Sequence, residues 1–354
     1  MIEATGSHES MPIFRNGRKQ HASGGRPLFL VVSVFLWATI IILFTFRIVP
    51  SSLDDVNYIN YFRGLSIYQT QSGGLLYHLY QYIINEPLWL TYTKLLSVFF
   101  TPEDCVRVTI GISLVFLAFS SFINGRPLTF LLLYATAPNL LLVMDYTQLR
   151  QGLAIAIFML LFSTTKSVKK GALVACLVHS SFLLLLLASF LYSAKRNVWS
   201  IVIGLVGLAV TFFILSRSES GLILGGRRDF YLSWQDVLNV KFWIIIITIT
   251  VAFFVFARRL ARAGISNRQL VAIIDLSVMN TIGALLFLII APVAGRFIVN
   301  SYTLQATALS SKGVPRTQIY WVFFFGLILF NIYELSAAFR GGMDFFLTFN
   351  SLLF

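Results

Sequence analysis

Long apolar runs alternate with short polar segments along this chain from residue 28 to residue 339. A helix needs roughly 20 apolar residues to cross the hydrocarbon core of a bilayer, and most of these runs approach that length. They predict membrane spans at 28–48, 105–123, 127–144, 150–166, 197–215, 241–257, 270–291, 294–311 and 318–338. The pattern therefore predicts an all-α fold, a polytopic transmembrane helical bundle.

One further apolar block, 168–194, fits either a single span or two short helices that meet at His179 near its middle. Basic clusters lie between the runs at 166–170, 195–196, 258–268 and 312–316. With a basic N-terminus inside, all of these clusters become cytoplasmic only if the block crosses twice or dips in and returns. We therefore predict a helical hairpin here and about 10 to 11 spans in total.

This topology divides the chain into a short tail and one large membrane domain. Residues 1–27 are polar, carry Gly, Ser and Arg, and are predicted to be a disordered cytoplasmic tail. Residues 28–354 are predicted to be a single integral membrane domain with external segments at 49–104 and 216–240. His179 falls on the same external face, so the unusual polar residues collect on one side of the membrane.

Composition narrows the class of protein. The chain is 57% hydrophobic and 12% charged, with a mean hydropathy of +0.81, whereas a soluble domain carries about a quarter charged residues. The net charge of +13 is scattered in short clusters rather than gathered into a nucleic-acid-binding module. Positive-inside bias and attraction to anionic membrane lipids account for most of it. Cys105 and Cys176 adjoin apolar segments and suggest neither a disulfide framework nor a metal cluster.

Tyrosines concentrate in the external segment 49–104. Seven of the fourteen lie there: Tyr58, Tyr61, Tyr68, Tyr77, Tyr80, Tyr82 and Tyr92. They fit an aromatic belt at the membrane surface, or a carbohydrate platform, because aromatic faces pack on sugar C–H surfaces while amides and hydroxyls bond sugar hydroxyls. The apolar piece 88–100 is short and contains Lys94, so we predict a helix that lies at the interface.

Arg150 opens an otherwise apolar span and is the first candidate for chemistry. Its side chain could snorkel to the head-group region. It could instead clamp an anion, because a guanidinium offers bidentate donors that match phosphate. Gln151 keeps the mouth of the helix polar, while Gly152 and Ala156 let another helix approach closely.

Two further polar residues stand in apolar surroundings. His179 could donate to a diphosphate oxygen or accept a proton, and the sequence does not choose between these roles. Arg296 follows Pro292 and Gly295, which are predicted to break the helix, and irregular backbone at membrane depth is tolerated only against protein or a water-filled cavity. Arg296 is therefore predicted to face a cavity, and Tyr302 could face the same side or not.

Candidates for a general base are His179 and the carboxylates Asp54, Asp55, Glu86, Asp145, Asp229, Asp236 and Asp344. No spacing singles one of them out. Arg227 and Arg228 follow two glycines within 216–240 and suit either a solvated loop tip or a lid that grips substrate. The chain contains no G-x-S-x-G, Walker A, H-E-x-x-H or C-x-x-C motif, so the enzyme classes that need them lose support.

The order and spacing of several short pieces resemble the EpsG/Wzy-type family of bacterial polysaccharide polymerases. The pieces are DVNYINYF at 55–62, NEPL at 85–88, LRQGLA at 149–154, VHSS at 178–181 and PVAGRF at 292–297. The resemblance covers most of residues 54–300. The arginine of the last piece, Arg296, resembles one that family members carry on a late helix.

The resemblance implies a GT-C-like glycosyltransferase of the bacterial inner membrane, with its active site facing the periplasm, that needs no nucleotide sugar, metal or other cofactor. Such an enzyme moves a growing glycan from one undecaprenyl diphosphate carrier onto a new lipid-linked oligosaccharide repeat, as in O-antigen, lipopolysaccharide and exopolysaccharide synthesis. A chain-length regulator protein is a candidate partner.

We expect the site to hold the donor diphosphate with Arg150, Arg296 and His179. Asp54, Asp55, Asp145 or His179 itself would deprotonate the acceptor hydroxyl. Substrate contacts are expected from Asp54, Tyr58, Tyr61, Glu86, Gln151, Arg227, Arg228 and Tyr302.

Two other classes remain open. A transporter or flippase for an anionic or lipid-linked glycan would also line its path with arginines, but it predicts two related halves, and no internal repeat is visible. An O-antigen ligase-like transferase would carry its main arginines and histidine in a large external loop between late spans. Here the loop 216–240 is short and lacks histidine.

Overall fold

The computed structural model describes residues 26–50, 53–64, 86–136, 148–193, 251, 255, 268–286, 291–312, 314 and 316–340. Within these ranges the ordered elements are eleven helices: α1 (Arg26–Thr45), α2 (Leu53–Phe62), α3 (Pro87–Leu96), α4 (Pro102–Asn124), α5 (Pro127–Thr136), α6 (Leu149–Thr165), α7 (Val168–Val178), α8 (Phe182–Ser193), α9 (Arg268–Leu286), α10 (Ala291–Ser310) and α11 (Gln318–Arg340). The all-α prediction is confirmed for this part of the chain. The predicted span 197–215 lies outside the described residues, as do most of 241–257 and nearly all of the N-terminal tail.

Among the described residues, two helices, α1 from Pro27 onward and α4, are long and apolar enough to cross a membrane. Helix α1 leaves the side chains of Leu28, Phe29 and Phe35 largely exposed. A contiguous exposed apolar surface of this kind suits lipid rather than water. Shorter apolar helices lie within α5, α6, α9 and α11.

Helix α6 is packed between α4 and α7. A glycine permits the closest approach to α7, since a Cβ atom at Gly171 would stand 3.0 Å from the carbonyl oxygen of Phe158. Gly152 and Ala156, the small residues that predict a close neighbour, are both buried. Helix α6 is therefore held on two sides, which fixes the position of Arg150 in its first turn.

The apolar block 168–194 forms two helices that break at His179, as predicted. His179 has extended backbone angles, φ −151° and ψ 123°, and ends α7. The Nζ atom of Lys169 at the start of α7 lies 4.7 Å from the ring centroid of Phe190 near the end of α8. The two helices therefore run back along each other, and the hairpin prediction is confirmed.

The prediction of irregular backbone at 291–296 is wrong. Helix α10 begins at Ala291 and runs without interruption to Ser310. Proline is tolerated in the first turn of a helix, where its missing N–H has no intrahelical partner to lose, so Pro292 helps to start the helix. Arg296 consequently projects from the second turn of α10.

The described helices give the bundle two chemically distinct ends. At one end, which we call the Arg126 end, the backbone N–H of Lys312 donates to the carbonyl of Asn124, whose side chain bonds Ser163. The basic residues at this end are Arg126, Lys166, Lys169, Lys170, Lys312 and Arg316. The acidic residues of the described ranges lie elsewhere, mostly at the opposite end, which we call the Glu86 end.

Candidate functional site

The N-terminus of α6 is the centre of the Glu86 end. Gln148 precedes the helix without capping it through its side chain, and the first turn contains no acidic residue. The first amide N–H groups of a helix have no intrahelical partner and carry partial positive charge. Arg150 adds a full positive charge to the same turn. This arrangement favours an anion in front of α6.

Glu86 supplies a negative charge at this place. Its Oε2 accepts a hydrogen bond of 2.8 Å from Nη1 of Arg150, in a pair whose side chains are 20% (Arg150) and 8% (Glu86) exposed. Its Oε1 accepts a bond of 2.8 Å from the backbone N–H of Ser180. The carboxylate thus joins the start of α3, the first turn of α6 and the junction of α7 and α8.

The backbone of Glu86 is strained. Its φ of 65° and ψ of 75° are left-handed, and its side chain does not cap α3, which it precedes. A residue other than glycine in this region costs about 1–3 kcal/mol and persists only where the surroundings enforce it. The left-handed backbone conformation directs the carboxylate away from its own helix and towards Arg150. Backbone strain of this kind is characteristic of functional sites.

The surrounding charges keep Glu86 ionised. Burial is the largest single influence and raises the pKa of this carboxyl, but the charge of Arg150 together with the other neighbours holds the pKa below its ordinary value of 4.5. The hydrogen bond from Ser180 and the charge of Arg296 act in the same direction. A buried carboxylate is therefore available as an anion at neutral pH.

The hydrogen bonds of His179 define which ring nitrogen carries the proton. Its Nδ1 accepts from the backbone N–H of Ser181 at 3.1 Å and lies 2.8 Å from the hydroxyl oxygen of the same serine. A nitrogen that accepts from an N–H holds no proton, so the network assigns the neutral tautomer with hydrogen on Nε2. His179 is 4% exposed and presents Nε2–H as a donor.

Helix α10 connects this histidine to α6. The side-chain amide of Gln151 donates to the backbone oxygen of Arg296 at 2.9 Å and to Oδ1 of Asn300 at 3.2 Å. The amide of Asn300 donates in turn to the hydroxyl of Ser181 at 3.3 Å. The pairing fixes the orientation of Ser181 and, through it, of His179. Arg296 itself is half-buried.

Aromatic rings form one wall of the site. The guanidinium carbon of Arg150 lies 5.2 Å from the ring centroid of Tyr61, close enough for a cation–π contact. Tyr58 and Tyr61 both meet Trp89 of α3 edge to face, with centroids 5.9 and 6.4 Å apart. Trp89 is fully buried. The tyrosine-rich segment therefore contributes core packing beside Arg150 in its described part.

Asp55 lies in a separate ion pair. Its two carboxylate oxygens each accept a 2.7 Å hydrogen bond from the guanidinium of Arg47, which follows the last residue of α1 by two positions. The side chains are 5% (Arg47) and 1% (Asp55) exposed. A closed bidentate pair of this kind ties α1 to α2.

The remaining predicted residues divide into two groups. Tyr302 is buried, but it follows Asn300 by two residues and so lies roughly 200° around α10 from it, away from Gln151. Asp145, Arg227 and Arg228 lie outside the described residues, and the structure describes no side chain for Asp54.

Sequence reasoning missed Ser180, Ser181 and Asn300, and it did not pair Glu86 with Arg150. One signal for Asn300 was available, since it stands four residues after Arg296 on an apolar helix and so shares its face. Ser180 takes part through its backbone N–H, which nearly every residue type carries, so the sequence does not single it out. Its role depends on the bend at His179.

These features define a helical membrane protein with arginine, carboxylate and histidine side chains brought together at one end of its bundle. Residues 28–351 match the model of the EpsG family. The chain belongs to this family of Wzy-type polysaccharide polymerases, as the short sequence pieces predicted. No curated protein and no solved structure shows significant similarity to it.

Proposed function

We propose that this chain is a multi-pass glycosyltransferase of the bacterial inner membrane that polymerises undecaprenyl-diphosphate-linked oligosaccharide repeats on the periplasmic face. The observation that carries the proposal is the convergence of Arg150, Glu86 and His179 on the N-terminus of α6. These residues lie far apart in the sequence and belong to different elements. Membership of a polysaccharide polymerase family supports the same conclusion.

The chemistry of the cluster suits a diphosphate. Nε of Arg150 is buried and has no hydrogen-bond partner among the described residues, and the first amide N–H groups of α6 have no intrahelical partner. Arg296 adds a second cation whose charge acts on Glu86. Fixed cations and N–H dipoles stabilise the charge that develops on a departing diphosphate. The Nε2–H of His179 would donate to one of its oxygens.

The charge asymmetry of the bundle supports the proposed orientation. Basic residues are retained on the cytoplasmic side of membrane proteins, where anionic lipids add attraction. In the described ranges the six basic residues of the Arg126 end stand without carboxylates, whereas the equal number at the Glu86 end stand among Asp55, Glu86, Glu103 and Asp104. With that end in the cytoplasm, the Glu86 end faces the periplasm, where lipid-linked repeats would be joined.

Further contacts follow from the sequence predictions. Arg227 and Arg228 would grip the lipid carrier or the glycan, and the external tyrosines would pack against sugar rings. Tyr58 and Tyr61 are described members that lie beside Arg150. A chain-length regulator protein would act as a partner that sets the number of repeats.

The test is polymer length in the source cells after deletion of the chromosomal copy and complementation with variants. R150A is expected to lower polymer formation by at least about a hundredfold, because preorganised charge stabilisation is lost. R63A is the matched control, since Arg63 pairs with Glu103 at the same end with its side chain 51% exposed, and exposed pairs contribute about 0–1 kcal/mol. R63A should give polymer of the same length distribution as the wild-type protein.

The same experiment separates the alternatives. Full-length ladders from R150A, at normal protein abundance in the membrane, would remove the diphosphate-site proposal. A transporter would instead change the location of the lipid-linked repeat while leaving its length unchanged. Purified protein that lengthens the glycan on undecaprenyl diphosphate excludes that alternative, because a new glycosidic bond has then been formed.

A further inference from the structure

Glu86 occupies the place at which another anion would meet Arg150. One of its oxygens takes the Nη1 donor of Arg150, and the other takes the amide of Ser180, each at 2.8 Å. Guanidinium and backbone N–H groups are the donors that also bind phosphate oxygens. We propose that the donor diphosphate displaces Glu86 from Arg150, and that the displaced carboxylate then takes the proton from the acceptor hydroxyl. This inference rests on the function proposed above.

The geometry of the pair makes exchange feasible. Glu86 contacts Arg150 through one of its oxygens only, so a single hydrogen bond has to be replaced. The side chain of Arg150 is 20% exposed, which gives an incoming anion access from the open side. The backbone of Glu86 is held in a strained left-handed conformation. A change of this conformation when the side chain leaves Arg150 can release the strain.

The hydrogen bonds of the neighbouring candidates favour Glu86 as the base. His179 cannot accept a proton at Nδ1 without breaking its bond from the Ser181 amide, and its Nε2 already carries hydrogen. Both oxygens of Asp55 are held by Arg47. Of these three groups, only Glu86 loses its ion-pair partner when the substrate binds.

The reaction balances with this assignment. The acceptor hydroxyl oxygen forms a bond to the anomeric carbon of the donor glycan, and the bond from that carbon to the diphosphate oxygen breaks. The electron pair of the broken bond stays on the diphosphate, beside Arg150 and Arg296. The hydroxyl proton passes to the carboxylate of Glu86, which later releases it to water. No oxidant, reductant or further reactant is needed.

The exchange predicts effects of opposite sign on binding and on turnover. The probe is undecaprenyl diphosphate without a glycan, bound to the full-length protein in lipid nanodiscs. E86Q keeps the shape of the side chain but removes the competing charge, so the lipid should bind about tenfold tighter, equivalent to 1.4 kcal/mol. Polymer formation by the same variant should fall at least about a hundredfold, because a general base typically contributes that much.

E103Q is the matched control. Glu103 pairs with Arg63 at 3.2 Å on the surface of the same end, so the same chemical change away from α6 should leave both measurements at the wild-type value. E86D is the second variant, which guards against a folding defect in E86Q. It retains a base on a side chain one methylene shorter, which weakens the contact with Arg150, so it should bind the lipid more tightly than wild type and polymerise faster than E86Q.

The outcomes are separable. Weaker lipid binding by E86Q and E86D would mean that Glu86 merely positions Arg150, and it would overturn the exchange. Polymerisation by E86Q at the wild-type rate would overturn the assignment of the base. Wild-type protein that neither binds the lipid nor forms polymer would overturn the proposed function, and this inference with it.

Discussion

Two buried arginine–carboxylate pairs stand at the same end of this bundle and differ in how completely they are closed. Arg47 and Asp55 form two hydrogen bonds of 2.7 Å and are 5% and 1% exposed. Arg150 and Glu86 form one hydrogen bond of 2.8 Å and are 20% and 8% exposed. The first pair joins consecutive helices, whereas the second joins segments distant in the sequence.

The difference distinguishes a structural pair from a functional one. In a closed bidentate pair, both carboxylate oxygens already accept hydrogen bonds from the guanidinium. Breaking such a pair leaves an uncompensated charge. The open pair leaves the side chain of Arg150 20% exposed and holds Glu86 in a left-handed conformation. Both pairs join an arginine to a carboxylate, so hydrogen-bond geometry and exposure are what separate them.

Breaking the closed pair should have the largest effect. D55N leaves the buried guanidinium of Arg47 without its counter-charge, and the free energy of unfolding should fall by about 3–5 kcal/mol. Thermal unfolding of the detergent-solubilised protein measures the loss. The matched control is D104N, because Asp104 pairs with Arg107 near the surface.

Replacement of both partners tests whether the loss of stability in D55N comes from the uncompensated charge of Arg47. R47M combined with D55L removes both charges and should recover stability relative to D55N. If D55N unfolds at the wild-type temperature, the pair does not brace the fold and the contrast with Arg150 fails.

Loosening the support of His179 should have the next largest effect. N300A removes the amide that bonds the hydroxyl and carbonyl of Ser181, so polymer formation should fall about tenfold, with about 1 kcal/mol lost in stability. N331A is the matched control, because Asn331 makes one comparable bond to Thr136. Equal polymer formation by both variants would remove the positioning role of Asn300.

Acid should weaken the open pair. Because Arg150 holds the pKa of Glu86 below 4.5, the stability that the carboxylate contributes is present above pH 4.5 and is lost as pH falls through the folded-state pKa. The difference in unfolding temperature between wild type and E86Q should therefore shrink below pH 4.5. A difference that stays constant down to pH 3 would contradict the assignment of an ionised Glu86.

The smallest expected effect concerns the aromatic wall. Y61L removes the ring that lies 5.2 Å from the guanidinium carbon of Arg150, at a cost of about 0.5–1 kcal/mol. The KM for the lipid-linked donor should rise by about two- to fivefold. Y61F keeps the ring and should match wild type. Identical KM values for Y61L and Y61F would show that the ring does not support Arg150.

Much of the fold followed from local patterns. Apolar runs predicted α1, α4 and α6 to within a few residues, because hydropathy and helix length are properties of contiguous segments. Basic clusters predicted the hairpin at His179, which the contact between Lys169 and Phe190 confirms. The start of α10 was misread, because Pro292 was treated as a break although proline also begins helices.

By itself the sequence determined that the chain is a helical membrane protein, that it resembles the EpsG family, and that Arg150 needs a partner. Only the tertiary structure decided that this partner is Glu86, which is 64 residues earlier in the chain. It also decided that Asp55 is held by Arg47 and which nitrogen of His179 accepts a hydrogen bond. The physical reason is that hydropathy acts within one segment, whereas ion pairs and tautomers depend on which segments helix packing brings together.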